Sequence, residues 1–286
     1  MKRRVGFIGL GDQGAPMAVA LAERHDLHVW ARREASYEEL GAVRFSRAHD
    51  PEELARGIEI LCLCLPGDVE LEDLLLNRKM ANALPAGGVV INHATGDPSA
   101  AERISGVLAQ IGISYLDAPV SGGRPGAVAR SLTCFVGGEN STLEACRRVI
   151  ECHSQTIAFM GRPGSGQMAK LFNNILTVSN LRNVVETLSL AQAAGIDLRA
   201  LQEALARSSG GSFILQAIGR QISLDIAEHI AALNRKDVAE FAGAMRARGL
   251  DPRRIVDWAA TGPDGLPALV YALAAPAHST PEAVRS

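Results

Sequence analysis

The chain has 286 residues, 47% of them hydrophobic and 21% charged, with a formal net charge of −2. This length suits one large or two ordinary domains at about 150 residues each, and the composition is that of a folded globular chain. The near-balanced charge gives no electrostatic ground for a nucleic-acid or membrane partner, and no apolar run reaches the ~18 residues a spanning helix needs.

The opening MKRRVGFIGLG places basic residues before an apolar run. Its glycines and the immediate entry into Asp12-Gln13 argue against a secretory leader. The five cysteines (Cys62, Cys64, Cys134, Cys146, Cys152) are odd in number and lack paired metal spacing. They read as buried free thiols of a reducing, cytoplasmic protein, with no metal expected. Alternation would set Cys62 and Cys64 on one face of a strand.

Arg4 to Ile8 reads as a short buried strand, followed at once by Gly9-Leu10-Gly11-Asp12-Gln13-Gly14 and a helical pattern through Met17, Leu21 and Ala22. This is the GxGxxG fingerprint of dinucleotide binding in its required setting of strand, tight turn and helix. Gly9 permits the turn, Gly11 lets backbone approach a pyrophosphate, and Gly14 lets helix and strand pack closely. The helix start then offers N–H groups and partial positive charge to phosphates. A second strand, Leu27 to Ala31, ends in Arg32-Arg33. An acidic side chain here would accept the ribose hydroxyls of NAD; two arginines suit the 2′-phosphate of NADP instead. A solvated basic turn is the alternative.

Strand and helix then repeat. Glu59 to Leu65 is an apolar strand stopped by Pro66-Gly67, and Gly88 to Asn92 another that ends at HATGDP (93–98). Helical patterns cover 69–76 and 99–110. Ligands bind beyond the carboxyl ends of strands in doubly wound sheets, so Pro66 and Thr95 are candidate cofactor contacts, with plain turn chemistry as the alternative. His93 is a candidate acid or base, or a structural loop histidine. Tyr115-Leu116-Asp117 runs into Ser121-Gly122-Gly123, whose successive N–H groups and hydroxyl can bind a carboxylate. Strands are expected again at 131–138 and 156–160.

The stretch GRPGSGQMAKLFNNIL (161–176) opens a long, largely buried helix running through Ala194. Lys170 and Asn174 sit four apart and share a face. Lys170 is either a lysine snorkelling to solvent or a partly desolvated proton donor. Further helices are expected at 197–207, 213–224, 235–248 and 252–260, with Lys236 on a helix start and Asp237 either its structural partner or part of a solvated face. Phe213, Ile214 and Gln216 are candidates for the substrate pocket or for core packing. The tail from Ala274 is expected to fray. An α/β Rossmann domain over 1–161 and an all-helical domain over 162–286 follow, joined by the long helix, whose first turn is expected to line a cleft.

Five motifs in order resemble the β-hydroxyacid dehydrogenase family of 3-hydroxyisobutyrate dehydrogenases and tartronate semialdehyde reductases: GFIGLGDQGAPMA (6–18), HATGDP, DAPVSGG (117–123), GSGQMAKLFNN (164–174) and RKD (235–237). The resemblance implies NAD(P)-dependent, cytoplasmic oxidoreductase chemistry on a small carboxylate, in a homodimer or homotetramer. By position Lys170 would be the acid/base, Ser121, Gly122 and Gly123 would hold the substrate carboxylate, and Asn174 would orient the substrate. Thr95 and Lys236 would contact the cofactor near its nicotinamide. Gln13, Asn92-His93-Ala94 and Arg130-Ser131 depart from the family pattern, which bears on the substrate, and Arg124 or Arg130 is either a reader of a second acid group or an ordinary surface arginine. The alternatives are an imine reductase, which usually carries Asp or Tyr in place of the lysine, and a non-catalytic dinucleotide-binding protein.

Overall fold

The computed structural model describes residues 2–78 and 80–274; the expected fraying beyond Ala274 lies outside the described residues. The chain divides into two compact units, the first ending at Lys170 and the second starting at Leu171.

The first unit is built on strands β1 (Arg4–Ile8), β2 (Asp26–Trp30), β3 (Ser46–Arg47), β4 (Ile60–Leu63), β5 (Val89–Asn92), β6 (Ser114–Asp117), β7 (Val120–Ser121), β8 (Leu132–Gly138) and β9 (Ser154–Gly161). Helices α1 (Gly14–Ala22), α2 (Pro51–Arg56), α3 (Asp68–Glu72), α4 (Pro98–Gln110), α5 (Gly123–Val128) and α6 (Asn140–Ile150) intervene. The sheet order is β3-β2-β1-β4-β5-β6-β8-β7, with β9 paired to β8. Its first six strands are parallel, in register as Phe7↔Val29, Phe7↔Cys62 and Cys62↔Ile91. The strand order reverses between β1 and β4, the switch point where such sheets take a ligand. β6 and β8 run antiparallel, pairing Leu116 with Gly138.

Both faces of the parallel strands are covered, because βαβ crossovers place helices on each side. Phe7, Ile60, Cys62 and Ile91 face one core with Met17 and Leu21 of α1. Ile8, Leu61, Leu63 and Val90 face the other with Leu71 and Ile104. Strands apolar on both faces account for the unbroken hydrophobic runs in the sequence. The cysteines are free thiols; Cys62 lies in β4, whereas Cys64 lies just past its end and not on a strand face. Burial pushes the Cys64 thiol up to about 12, so it is protonated and unreactive at neutral pH.

Helix α7 (Ser165–Ala193) carries the chain onward. In the second unit follow α8 (Leu198–Ala206), α9 (Phe213–Ala217), α10 (Leu224–Ala247), α11 (Arg253–Ala259) and α12 (Gly262–Ala274). Leu181, Val185 and Leu188 of α7 pack with Ile214, Leu215, Leu266 and Leu269. The expectation of a largely buried α7 needs correction: Phe172, Leu176 and Leu190 are exposed in this chain. The α9 and α10 boundaries also differ from the sequence reading. α9 stops at Ala217, and α10 begins at Leu224, so Lys236 lies well inside a helix and not at its start. Among the described residues no helix is long and apolar enough to cross a membrane.

Candidate functional site

The fingerprint loop is shaped by steric need. Gly9 has φ +104°, and a Cβ there would stand 2.1 Å from the Cys64 carbonyl oxygen. A Cβ on Gly14 would stand 1.8 Å from the Gly9 carbonyl oxygen, so α1 docks on the β1 turn at a distance only glycine allows. A Cβ on Gly11 would meet nothing within 4 Å, leaving open space where a pyrophosphate would approach the start of α1. The residues present therefore fit a dinucleotide: open space at Gly11 beside a helix N-terminus. Among the described residues, no three His, Cys, Asp or Glu side chains converge as metal ligands.

Arg32 and Arg33 are exposed just after β2, between the strand and the 3₁₀ turn Glu34–Leu40. The nearest following carboxylate, Glu34, accepts from both terminal nitrogens of Arg47, which holds it below the usual carboxylate range. Arg47 also lies over the Tyr37 ring at 4.2 Å, and the Tyr37 hydroxyl accepts from the Ala31 N–H at 2.9 Å. Arg32 and Arg33 thus follow β2 directly, and the carboxylate of the next residue, Glu34, is already paired with Arg47.

Asp117, at the end of β6, is the organising residue on the other side. Its carboxylate accepts from the Gly164 and Gln167 N–H groups, each at 2.8 Å, and so caps the start of α7 from a distant strand. The approach is close: a Cβ on Gly166 would stand 2.4 Å from the Asp117 carbonyl oxygen and 2.5 Å from that of Phe135. Burial raises the Asp117 carboxyl to about 6, while the Gln167 and Gly164 N–H groups pull it down. Asp117 also begins the segment that turns at Ser121-Gly122-Gly123. Ser121 is half-buried on β7 opposite Thr133, and Gly122 and Gly123 take φ +130° and +61°.

Lys170 is half-buried on α7, and Asn174 lies one helical turn further. Asn174 is buried, and its Nδ2 donates to Asp237 at 2.9 Å while its Oδ1 accepts from Asn173. Asp237 therefore serves Asn174, and Lys236 pairs with Glu240 at 3.4 Å. Pro66 follows β4, and Thr95 follows β5 in a loop held on both flanks. Gln167 accepts from Gly96 and donates to Ala94, and Asp68 accepts from Asp97. Neither Gln167 nor Asp117 carried a role in the sequence reading; their partners lie far off in sequence, beyond the reach of spacing or periodicity.

Arg124 reaches the Asp12 carbonyl at 3.2 Å and the Asp12 and Glu39 carboxylates at 3.4 Å, tying α5 to the fingerprint loop. Arg130 pairs with Glu23 at the end of α1. Ile214 belongs to the helical core, whereas Phe213 and Gln216 are exposed.

His93 is not an accessible acid or base. It is 2% exposed, its Nδ1 lies 3.0 Å from the Ala118 carbonyl oxygen, and its ring stands edge-on to His153 at 4.8 Å. Burial lowers it from 6.5 to about 4. The unfolded chain therefore takes up this proton first, and the associated stability, full above about pH 6.5, is lost as pH falls toward 4. The loss is on the order of 3 kcal/mol for a shift of this size. Asp117 acts oppositely: its raised carboxyl contributes stability at low pH that is lost as pH rises through about 6. His93→Gln should accordingly flatten the fall in Tm between pH 7 and pH 5; an unchanged slope would assign the acid sensitivity to other groups.

Residues 4–161 match the family described as the NAD binding domain of 6-phosphogluconate dehydrogenase, and residues 164–253 match the NAD-binding domain of NADP-dependent 3-hydroxyisobutyrate dehydrogenase. The chain is 34% identical to the NAD-dependent L-serine dehydrogenase of Pseudomonas aeruginosa, over 75% of this chain and 72% of that protein. It is 32% identical to the 2-hydroxy-3-oxopropionate reductase of Escherichia coli, over 77% and 75%. Among solved structures, the Mycobacterium tuberculosis 3-hydroxyisobutyrate dehydrogenase with L-serine shares the fold at TM-score 0.79 and 24% identity, covering 96% of this chain and 100% of that one. Psf3 in complex with NADP+ and 2-OPP aligns at TM-score 0.77 and 26% identity, over 91% and 93%. The fold also extends to a Streptomyces aurantiacus imine reductase, at TM-score 0.66 and 20% identity, over 95% and 99%. With both segments matched and these relatives aligned over three quarters of its length, the chain belongs to the NAD(P)-dependent β-hydroxyacid dehydrogenase family.

Proposed function

We propose that the protein interconverts a small β-hydroxy acid and its semialdehyde carboxylate, with NADP favoured over NAD. The observation that carries this reading is Asp117. One residue opens the segment leading to Ser121-Gly122-Gly123 and caps the helix bearing Lys170. That shared strand end supports reading the turn as the carboxylate site and Lys170 as the proton carrier.

The bound nicotinamide would supply or accept the hydride. In the reducing direction the Lys170 ammonium stabilises the charge developing on the carbonyl oxygen and gives it a proton; in the oxidising direction the neutral amine takes that proton. Ser121 and the N–H groups of Gly122 and Gly123 hold the substrate carboxylate. Asn174, itself oriented by Asp237, directs the substrate hydroxyl. Gly9, Leu10, Gly11, Asp12, Gln13 and Gly14 cradle the pyrophosphate, with Pro66, Thr95 and Lys236 contacting the cofactor. The domains would divide this work, 1–161 holding the dinucleotide and 162–286 contributing substrate contacts and a homodimer or homotetramer contact. A cytoplasmic setting fits the free thiols.

The NADP preference rests on Arg32 and Arg33, with Glu34 neutralised by Arg47. Arg32→Ser with Arg33→Ser should lower kcat/KM for NADPH by about 10²-fold, as expected for two charge-assisted phosphate contacts, and leave NADH nearly unchanged. Equal losses with both cofactors would sink this assignment. The carboxylate role is tested by converting the substrate acid to its methyl ester, which should abolish most turnover. An ester that reacts as well as the acid would contradict it.

A further inference from the structure

We infer that Gln167 is a positioning residue of the reaction, setting the place of the Thr95 loop relative to the helix that carries Lys170. This rests on the proposed hydride transfer, since positioning needs a reaction to position.

Gln167 is 1% exposed on the first turn of α7, and both ends of its side-chain amide are committed. Its Oε1 accepts from the Gly96 N–H at 2.8 Å, and its Nε2 donates to the Ala94 carbonyl at 2.7 Å. These two backbone groups flank Thr95 on either side. The amide therefore grips the loop as a neighbouring strand would, with one donor and one acceptor on either side of Thr95. Its own N–H is fixed by Asp117 at 2.8 Å. Asp68 pins the adjoining Asp97 N–H at 2.7 Å, so the loop is anchored at three backbone groups.

Lys170 follows Gln167 by three residues, on the same side of the helix. The rigid helix backbone thus carries the position of the gripped loop to the lysine one turn on. A side chain that merely filled the core would not need both polar ends. No other residue reproduces the pair: Glu cannot donate to the Ala94 carbonyl, Asn is too short, and Met offers neither a donor nor a comparable acceptor. A displacement of about 1 Å at such a remove from the chemistry can cost ~10²-fold in rate.

The test compares Gln167→Met and Gln167→Glu with wild type on three readouts: amide hydrogen exchange of the 94–97 segment, kcat, and the primary isotope effect with NADPH deuterated at the transferred position. Gln167→Met should speed exchange of that segment by about tenfold or more. It should also lower kcat by about 10- to 100-fold and raise the isotope effect, because misplacement slows the hydride step itself. Gln167→Glu keeps the Gly96 contact and should fall between the two; it carries the same readouts if the Met variant does not fold. A kcat within about twofold of wild type and an unaltered isotope effect would reduce Gln167 to a structural contact. Unchanged exchange at 94–97 overturns the inference whatever the kinetics. A wild type silent on every hydroxy acid and semialdehyde would instead remove the proposed function, and the exchange readout would still decide whether Gln167 holds the loop.

Discussion

Lys170→Ala is expected to lower the rate of hydride transfer by about 10³-fold, within the range that a positioned general acid/base contributes. The affinity for NADPH should stay within about threefold, because the lysine acts on charge that appears in the transition state and not on the bound cofactor. The pattern follows from location. Lys170 stands half-buried on α7, past the turn capped by Asp117, and α1 with its glycine cradle is built independently of it. Single-turnover absorbance at the reduced nicotinamide separates the chemical step from product release. Lys170→Arg keeps the charge but surrenders its proton far less readily, so it should rescue little. Turnover retained in Lys170→Ala would remove the lysine from the mechanism and favour a different acid.

Asp117→Ala should produce the largest loss of stability, about 3 kcal/mol. Two N–H groups at the head of α7 would lose their acceptor in a site that water does not reach, and each such orphan costs ~1–3 kcal/mol. Relief of the buried carboxylate's own desolvation offsets part of the sum, in line with its raised carboxyl. Asp117→Asn retains one acceptor of similar shape and should lose less. Urea denaturation midpoints at pH 7.5 give the comparison directly. A midpoint for Asp117→Ala within error of wild type would mean that the helix start is held by glycine packing alone.

The fold was legible because its signals are local. GxGxxG after a four- or five-residue apolar run and before a helix can be read within a window of about fifteen residues. Strands buried on both faces announce themselves as unbroken apolar runs. The second unit was harder to read. Gly219 and the short α9 hid the start of α10, and Lys236, expected on a helix start, lies inside that helix. No helix was expected over α12: Pro263 falls in its first turn, where the missing N–H costs nothing, but Gly262, Gly265 and Pro267 interrupt the helical pattern.

The candidate site divides in the same way. Lys170, Ser121 and the fingerprint glycines stand out by residue type and spacing. Gln167 and Asp117 do not, because their significance lies in backbone partners on other strands and loops. Arg47 was likewise invisible: only pairing of β3 with β2 brings it to Glu34 and Tyr37. For His93, left open between acid/base and structural loop histidine, the structure selects the second. A histidine beside a candidate loop invites a catalytic reading, yet its ring is enclosed against His153 and Ala118.

The most direct test of the central claim is NADPH oxidation by wild type and Lys170→Ala against a panel of small semialdehyde carboxylates, with cyclic imines included. Turnover of a semialdehyde carboxylate by wild type, lost in the variant, is the predicted result. Turnover of imines alone, or of carboxylates equally by both proteins, would contradict it.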